Sequence, residues 1–185
     1  MSNTAKLVAH ATSDENGNVY GGDPGCQTGS ELQARQWYQR GWDCVYRAVN
    51  AEDREKIALF MEKAVANGFI GYNTNRYRRD TLFETLLTNG YKVDEVNTSV
   101  ECDCSALAYC AVFSVTGVEC YIDPAVKEEY KIIKCPKVNN YDDYIENQCA
   151  GMFEKLEGTD YTDSGDNLLR GDILVAWDAH IAVWI

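Results

Sequence analysis

Glu101-Cys102-Asp103-Cys104-Ser105-Ala106-Leu107 opens the run ECDCSALAYCAVFSVTG (residues 101–117), which decides how this chain is built. Asp103 to Thr116 is rich in small and apolar side chains. Leu107, Cys110, Ala111 and Ser114 share one helical face, yet most other positions are apolar too. The pattern predicts a helix buried nearly all round and ended by Gly117. Cys104 sits one residue inside its start, between Asp103 and Ser105. A helix start offers unpaired amides and a partial positive charge of about +0.5, which favour a thiolate and can bind an oxyanion. On a helix, Cys102 and Ser105 project roughly 100–200° away from Cys104, so one of the three faces a given imidazole.

Downstream, Gly171-Asp172 is a turn signal. Ile173-Leu174-Val175-Ala176-Trp177 and His180-Ile181-Ala182-Val183-Trp184-Ile185 then read as antiparallel strands joined by a tight Asp178-Ala179 connection. His180 stands at the mouth of the second strand. Upstream, Ile57, Phe60, Met61, Ala64 and Val65 mark a core-facing helix over 51–67, stopped by Asn67-Gly68. A second helix is expected over about 80–88, with Leu82, Leu86 and Leu87 inward, and a weaker one over 141–149. Ser30 followed by Glu31 to Trp37 suggests a short capped helix, and Trp42 to Tyr46 a strand. The segment up to Gly29 is dense in turn residues and reads as a loop- or hairpin-rich lead-in. Helices first and strands last, without alternation, predict an α+β fold in one domain over residues 1–185.

Composition narrows the function. The 185 residues carry 17 basic and 29 acidic side chains, a net charge of −12, which argues against nucleic acid as partner. No run of about 18 apolar residues appears, so no membrane span is expected. Met1 to His10 lacks a basic region followed by an apolar stretch, so no secretory signal is expected either. Eight cysteines without Cys-x-x-Cys, beside two histidines, predict reduced packing thiols, with neither structural zinc nor another cofactor. Arg76, Arg78 and Arg79 form a basic cluster that reads as a solvated face or as a site for an acidic substrate group.

A helix-borne cysteine followed by a strand-borne histidine is the arrangement of papain-like cysteine peptidases. Asp103-Cys104-Ser105-Ala106-Leu107 resembles the nucleophile block of NlpC-type cell-wall peptidases, which share a papain-like core with the CHAP amidases. Gly171-Asp172-Ile173-Leu174 and His180-Ile181-Ala182-Val183 resemble that family's strand pair. Ala9-His10-Ala11, Asp14-Glu15-Asn16-Gly17, Gly25-Cys26-Gln27-Thr28-Gly29, Ile70-Gly71-Tyr72 and Glu101-Cys102-Asp103-Cys104 are similar to blocks in catalytic domains of Gram-positive phage endolysins. The resemblance spans about the whole chain.

It implies a papain-like peptidoglycan hydrolase that cuts an amide in or beside the stem peptide, as an endopeptidase or an N-acetylmuramoyl-L-alanine amidase. Such a protein would be made in the bacterial cytoplasm and act on the wall, as a phage or prophage lysin does. Cys104 would be the nucleophile and His180 the base. The orienting residue lies, in that family, on the strand after the histidine strand; His10 or Asp178 is the candidate here. Tyr72, Gln27, Asp103, Ser105 and Asp23 are the implied substrate-side positions, and Arg35, Arg76, Arg78 and Arg79 the expected cations for stem-peptide carboxylates. Cys26 stands where the lysins carry Asp; Asp23 is the nearest replacement, and a packing or surface role is expected for the cysteine. Two other classes stay open: a non-catalytic papain-like module binding wall or protein, and a cysteine-rich redox or metal domain.

Overall fold

The structure is a computed structural model that describes residues 6–121 and 134–185. Its strands are β1 (Leu7–Ala11), β2 (Leu32–Gln36), β3 (Cys44–Ala48), β4 (Ile70–Tyr72), β5 (Val100–Cys102), β6 (Phe153–Leu156), β7 (Ile173–Ala176) and β8 (His180–Trp184). The α-helical segments are α1 (Ala51–Ala66), α2 (Thr81–Thr88), α3 (Cys104–Thr116), α4 (Tyr141–Asp143) and α5 (Thr159–Thr162). Six strands form one antiparallel sheet in the order β2-β1-β8-β7-β3-β6, while β4 and β5 make a separate parallel pair. The α+β expectation holds. None of the helices among the described residues is long and apolar enough to cross a membrane.

The sheet separates two apolar clusters, as the period-2 alternation of strand side chains requires. Ala9, Cys44, Tyr46, Ile173, Val175, Ile181 and Val183 face the larger core, shared with Ile57, Phe60 and Met61 of α1 and Leu107 and Ala111 of α3. Val8, Val45, Leu174, Ala176, Ala182 and Trp184 face a smaller one, closed by Trp42 and Leu168. Every residue from Cys104 to Val112 is buried, as the run predicts. Asp103 caps α3 through Oδ1, which accepts the Ala106 N–H at 2.7 Å, and Gly117 ends it at φ 62°. Such a cap contributes about 1 kcal/mol.

Several sequence expectations are corrected. Strands β7 and β8 do come last, but helices do not come first: β1 to β3 precede α1. The segment 31–37 is not a helix but contains edge strand β2, paired along its length with β1 from Leu7↔Gln36 to Ala11↔Leu32. Leu, Gln, Ala and Arg are good helix formers, but pairing with β1 overrides that local preference. The strand expected over 42–46 runs two residues later, Cys44–Ala48, and Trp42 packs in the smaller core. Leu87 of α2 is exposed, and Phe83 takes the inward place beside Leu82 and Leu86. The weaker helix over 141–149 is one α-helical turn followed by a π-helical one, Tyr144–Gln148. The β7–β8 connection spans Trp177 to Ala179, three residues between the paired Ala176 and His180.

Candidate active site

Cys104 is the first residue of α3 and is 6% exposed. The backbone N–H of Ile181, the second residue of β8, lies against its sulfur, as does that of Ser105. These amides and Arg79 favour the thiolate, but burial and the charge of Asp103 outweigh them and push the thiol up to about 12. The helix start alone therefore does not ionise Cys104 in the resting protein.

His180 opens β8 and is 6% exposed. The neighbour of β8 on one side is β7 and on the other β1, with Val8↔Trp184 and Ala9↔Val183 paired. Continuing that register one residue sets His10 level with Ala182, diagonal to His180 on the same face of the sheet. The two imidazoles meet: His10 Nδ1 is 2.7 Å from His180 Nε2. The Tyr38 hydroxyl stands 3.3 Å from the same Nδ1, and the Arg35 guanidinium lies 4.3 Å over the Tyr38 ring. Burial holds His180 down at about 3 and His10 at about 4, with His10 and Arg40 adding to the first shift and Arg35 and Arg40 to the second. Both rings are neutral near pH 7, so one nitrogen of the close pair donates and the other accepts. His10 Nε2 is buried without a hydrogen-bond partner.

On the other side of the α3 start lies Arg79, 1% exposed. Its Nε donates to Asp103 Oδ2 at 2.5 Å, and Nη2 to Asp103 Oδ1 at 3.0 Å, Ser105 Oγ at 3.1 Å and the Pro136 carbonyl at 2.8 Å. Nη1 donates to Asp80 Oδ1 and the Cys135 carbonyl, both at 2.8 Å. Asp80 Oδ2 in turn accepts the Lys134 N–H at 2.6 Å. The guanidinium thereby ties the starts of α2 and α3 to the 134–136 segment. It is a buried network, not the solvated face expected from the basic cluster. Arg78 is bound as well, pairing with Glu101. Arg76 and Arg35 are exposed.

A cavity of about 250 Å³ opens over Cys104, lined by Tyr72, Thr74, Asp103, Ser105, Lys137 to Asn139, Asp178 and Ala179. Tyr72 is held by its N–H, which donates to the buried Glu31 carboxylate at 2.9 Å. Gly71 allows this: a Cβ there would stand 2.6 Å from the Gly25 carbonyl oxygen. Asp178 occupies the β7–β8 turn at φ 58°, a left-handed conformation that a short polar side chain tolerates. Ser105 donates to Asp103 Oδ1 at 2.8 Å, inside the arginine network. Gln27 and Asp23 are exposed and stand outside the cavity lining. Cys26 is buried beside Gly25, also away from that lining, and all eight cysteines are free thiols. Sequence reasoning named Arg79 but gave it a solvent- or substrate-facing role, and it missed Glu31 and Tyr38. Their identities carry no motif, and their partners come from distant segments.

No curated protein and no solved structure matches this chain. The model of one family, the endolysin-like domain, matches residues 8–185, from the second residue of β1 to the last residue of the chain. The chain belongs to the endolysin-like domain family, which gives it a lytic role at the cell wall with peptidoglycan as substrate.

Proposed function

We propose that this domain is a papain-like cysteine hydrolase of peptidoglycan, similar to the NlpC-type enzymes of Gram-positive phage lysins, acting on an amide in or beside the stem peptide. One observation carries the reading. The Cys104 thiol rests against the Ile181 N–H, at the mouth of the strand that begins with His180, whose far nitrogen is bound to His10 at 2.7 Å.

With Nε2 engaged by His10, Nδ1 is the nitrogen of His180 left for the thiol. For Nδ1 to accept a proton, Nε2 must carry one and donate it to His10 Nδ1. His10 then serves as positioning residue, fixing the tautomer from the strand beside β8. In related enzymes the residue after the histidine strand has this role. Starting from a neutral pair, the Cys104 proton passes to His180 Nδ1 as sulfur attacks the carbonyl carbon. The oxyanion is met by the Cys104 N–H at the helix start. Collapse expels the amine, which takes the proton from the imidazolium and leaves a thioester. Water, deprotonated by His180, attacks the thioester and releases the carboxylic acid, restoring the thiol. Asp178 and Tyr72 line the cavity as substrate contacts, and Asp103 and Ser105 hold the nucleophile's helix through Arg79. Gln27 and Asp23, exposed and outside the cavity lining, have no part in this reading.

Purified Gram-positive peptidoglycan incubated with the protein should yield new amino termini by mass spectrometry. Their identity separates an endopeptidase from an amidase, which frees the L-alanine amine. Intact peptidoglycan after prolonged incubation would sink the hydrolase reading and leave a binding module.

A further inference from the structure

The cavity over Cys104 holds a charged side chain that the catalytic reading leaves unassigned. Arg35, Arg76, Arg78 and Arg79 are the cations that the sequence offers to stem-peptide carboxylates, yet among the described residues none of the four lines that cavity. Arg79 is engaged by Asp103 and Asp80 in the interior, and Arg78 pairs with Glu101. The Arg76 and Arg35 guanidiniums lie over the rings of Tyr77 and Tyr38. Lys137 is the one lysine or arginine among the described residues that does line it. The backbone that carries Lys137 is fixed from both sides. Arg79 donates to the carbonyls of Cys135 and Pro136, both at 2.8 Å, while the same guanidinium holds Asp103 and Ser105 at the start of α3. The Lys137 N–H donates to Asn140 Oδ1 at 2.6 Å, and the Asn140 N–H returns to the Lys137 carbonyl at 3.2 Å. One buried cation thus sets both the nucleophile's helix and the segment that brings Lys137 to the cavity. Of the two carboxylates in the lining, Asp103 is bound to Arg79, and Asp178 comes from the β7–β8 turn.

We infer that Lys137 is a specificity-determining residue whose ammonium receives a free carboxylate of the stem peptide beside the amide that Cys104 attacks. The inference deepens the hydrolase reading and rests on it for the substrate, but binding can be measured without turnover. The cavity is small, about 250 Å³, and Cys104 is part of its lining. A carbonyl carbon within reach of the sulfur therefore brings the substituents of its own residue against the other walls, Lys137 among them. The γ-linked D-glutamate of a stem peptide leaves its α-carboxylate free within the chain, and amidation of that group removes the charge. A lysine ammonium is a compact point charge, so it separates the carboxylate from the otherwise similar primary amide.

The test compares two disaccharide-tetrapeptide muropeptides that differ only in the glutamate α-carboxyl, free in one and amidated in the other. Calorimetry on the Cys104→Ala protein should show the free acid bound about three- to thirtyfold more tightly than the amide. Lys137→Gln added to that background should erase the preference by weakening the acid alone. Lys137→Arg should keep most of it, because the charge is kept. In the wild type the same preference should appear in kcat/KM. A merely structural role for Lys137 would weaken both muropeptides alike and leave their ratio unchanged. Equal affinity for acid and amide, no measurable binding of either, or a preference that survives Lys137→Gln would overturn the assignment. If the preference exists and is lost in Lys137→Gln, but the wild type cleaves neither muropeptide, the hydrolase reading fails while the carboxylate site stands.

Discussion

Two buried polar clusters flank the start of α3, and they are built on opposite principles. The Arg79 cluster is compensated: its N–H groups meet two carboxylates, a hydroxyl and two backbone carbonyls. The carboxylates of Asp103 and Asp80 keep the guanidinium charged despite burial. Among the described residues the His10–His180 cluster has no bound carboxylate and leaves His10 Nε2 without a partner, and burial keeps both rings uncharged. A compensated ion network fixes geometry and holds its charge, whereas the undercompensated pair of imidazoles resists protonation, because burial disfavours the imidazolium. One cluster ties the start of the Cys104 helix to α2 and the 134–136 segment, and the other is the pair to which the proposed function gives the proton transfer.

The contrast can be broken first through stability. Arg79→Met strands two carboxylates in the interior and should cost about 3–5 kcal/mol in urea unfolding. A loss under 1 kcal/mol would mean the network is not what anchors α3. His180→Gln should leave the fold near wild type, yet cut kcat on peptidoglycan about 10²- to 10⁴-fold, the usual contribution of a positioned base. His10→Gln should fall between wild type and His180→Gln, with kcat reduced and KM unchanged. A variant as slow as His180→Gln would make His10 more than a positioning residue.

Acid should expose the same difference. Both histidines have folded-state values of about 3 and 4, below their ordinary 6.5, so the unfolded chain binds protons first as pH falls. The stability they allow is present above about 6.5 and is lost as pH descends toward 4 and 3. Melting temperature should therefore drop over that interval, and the His10→Gln/His180→Gln double variant should drop less steeply. Parallel curves for the two proteins would place the acid sensitivity elsewhere. Smallest of all, Arg35→Gln removes one of the charges depressing His10 and should raise its titration midpoint by less than about one unit, read by NMR of the ring protons.

Much of this was legible in the sequence where the signal is local. The helix over 51–66 announces itself by its apolar spacing and Asn67-Gly68, and α3 by its small apolar run closed by Gly117. β7 and β8 stand out as apolar runs around a short turn. What escaped depends on contacts across the chain. β2 exposes Ala34, Arg35 and Gln36, as an edge strand does, so no alternation marks it as a strand. His10 could be named as a candidate but not located, since its partner lies 170 residues away and their meeting requires β1 to pair with β8. Arg79 looked like surface because charge runs usually are; only the folded positions of Asp80, Asp103 and Pro136 turn it inward.

The most direct measurement is the initial rate at which wild type and Cys104→Ala release new amino groups from the same purified peptidoglycan, with circular dichroism to show that both are folded. If the Cys104 thiol is the nucleophile, the variant loses at least about 10³-fold of the rate while keeping its fold. Equal rates in the two proteins would contradict the account.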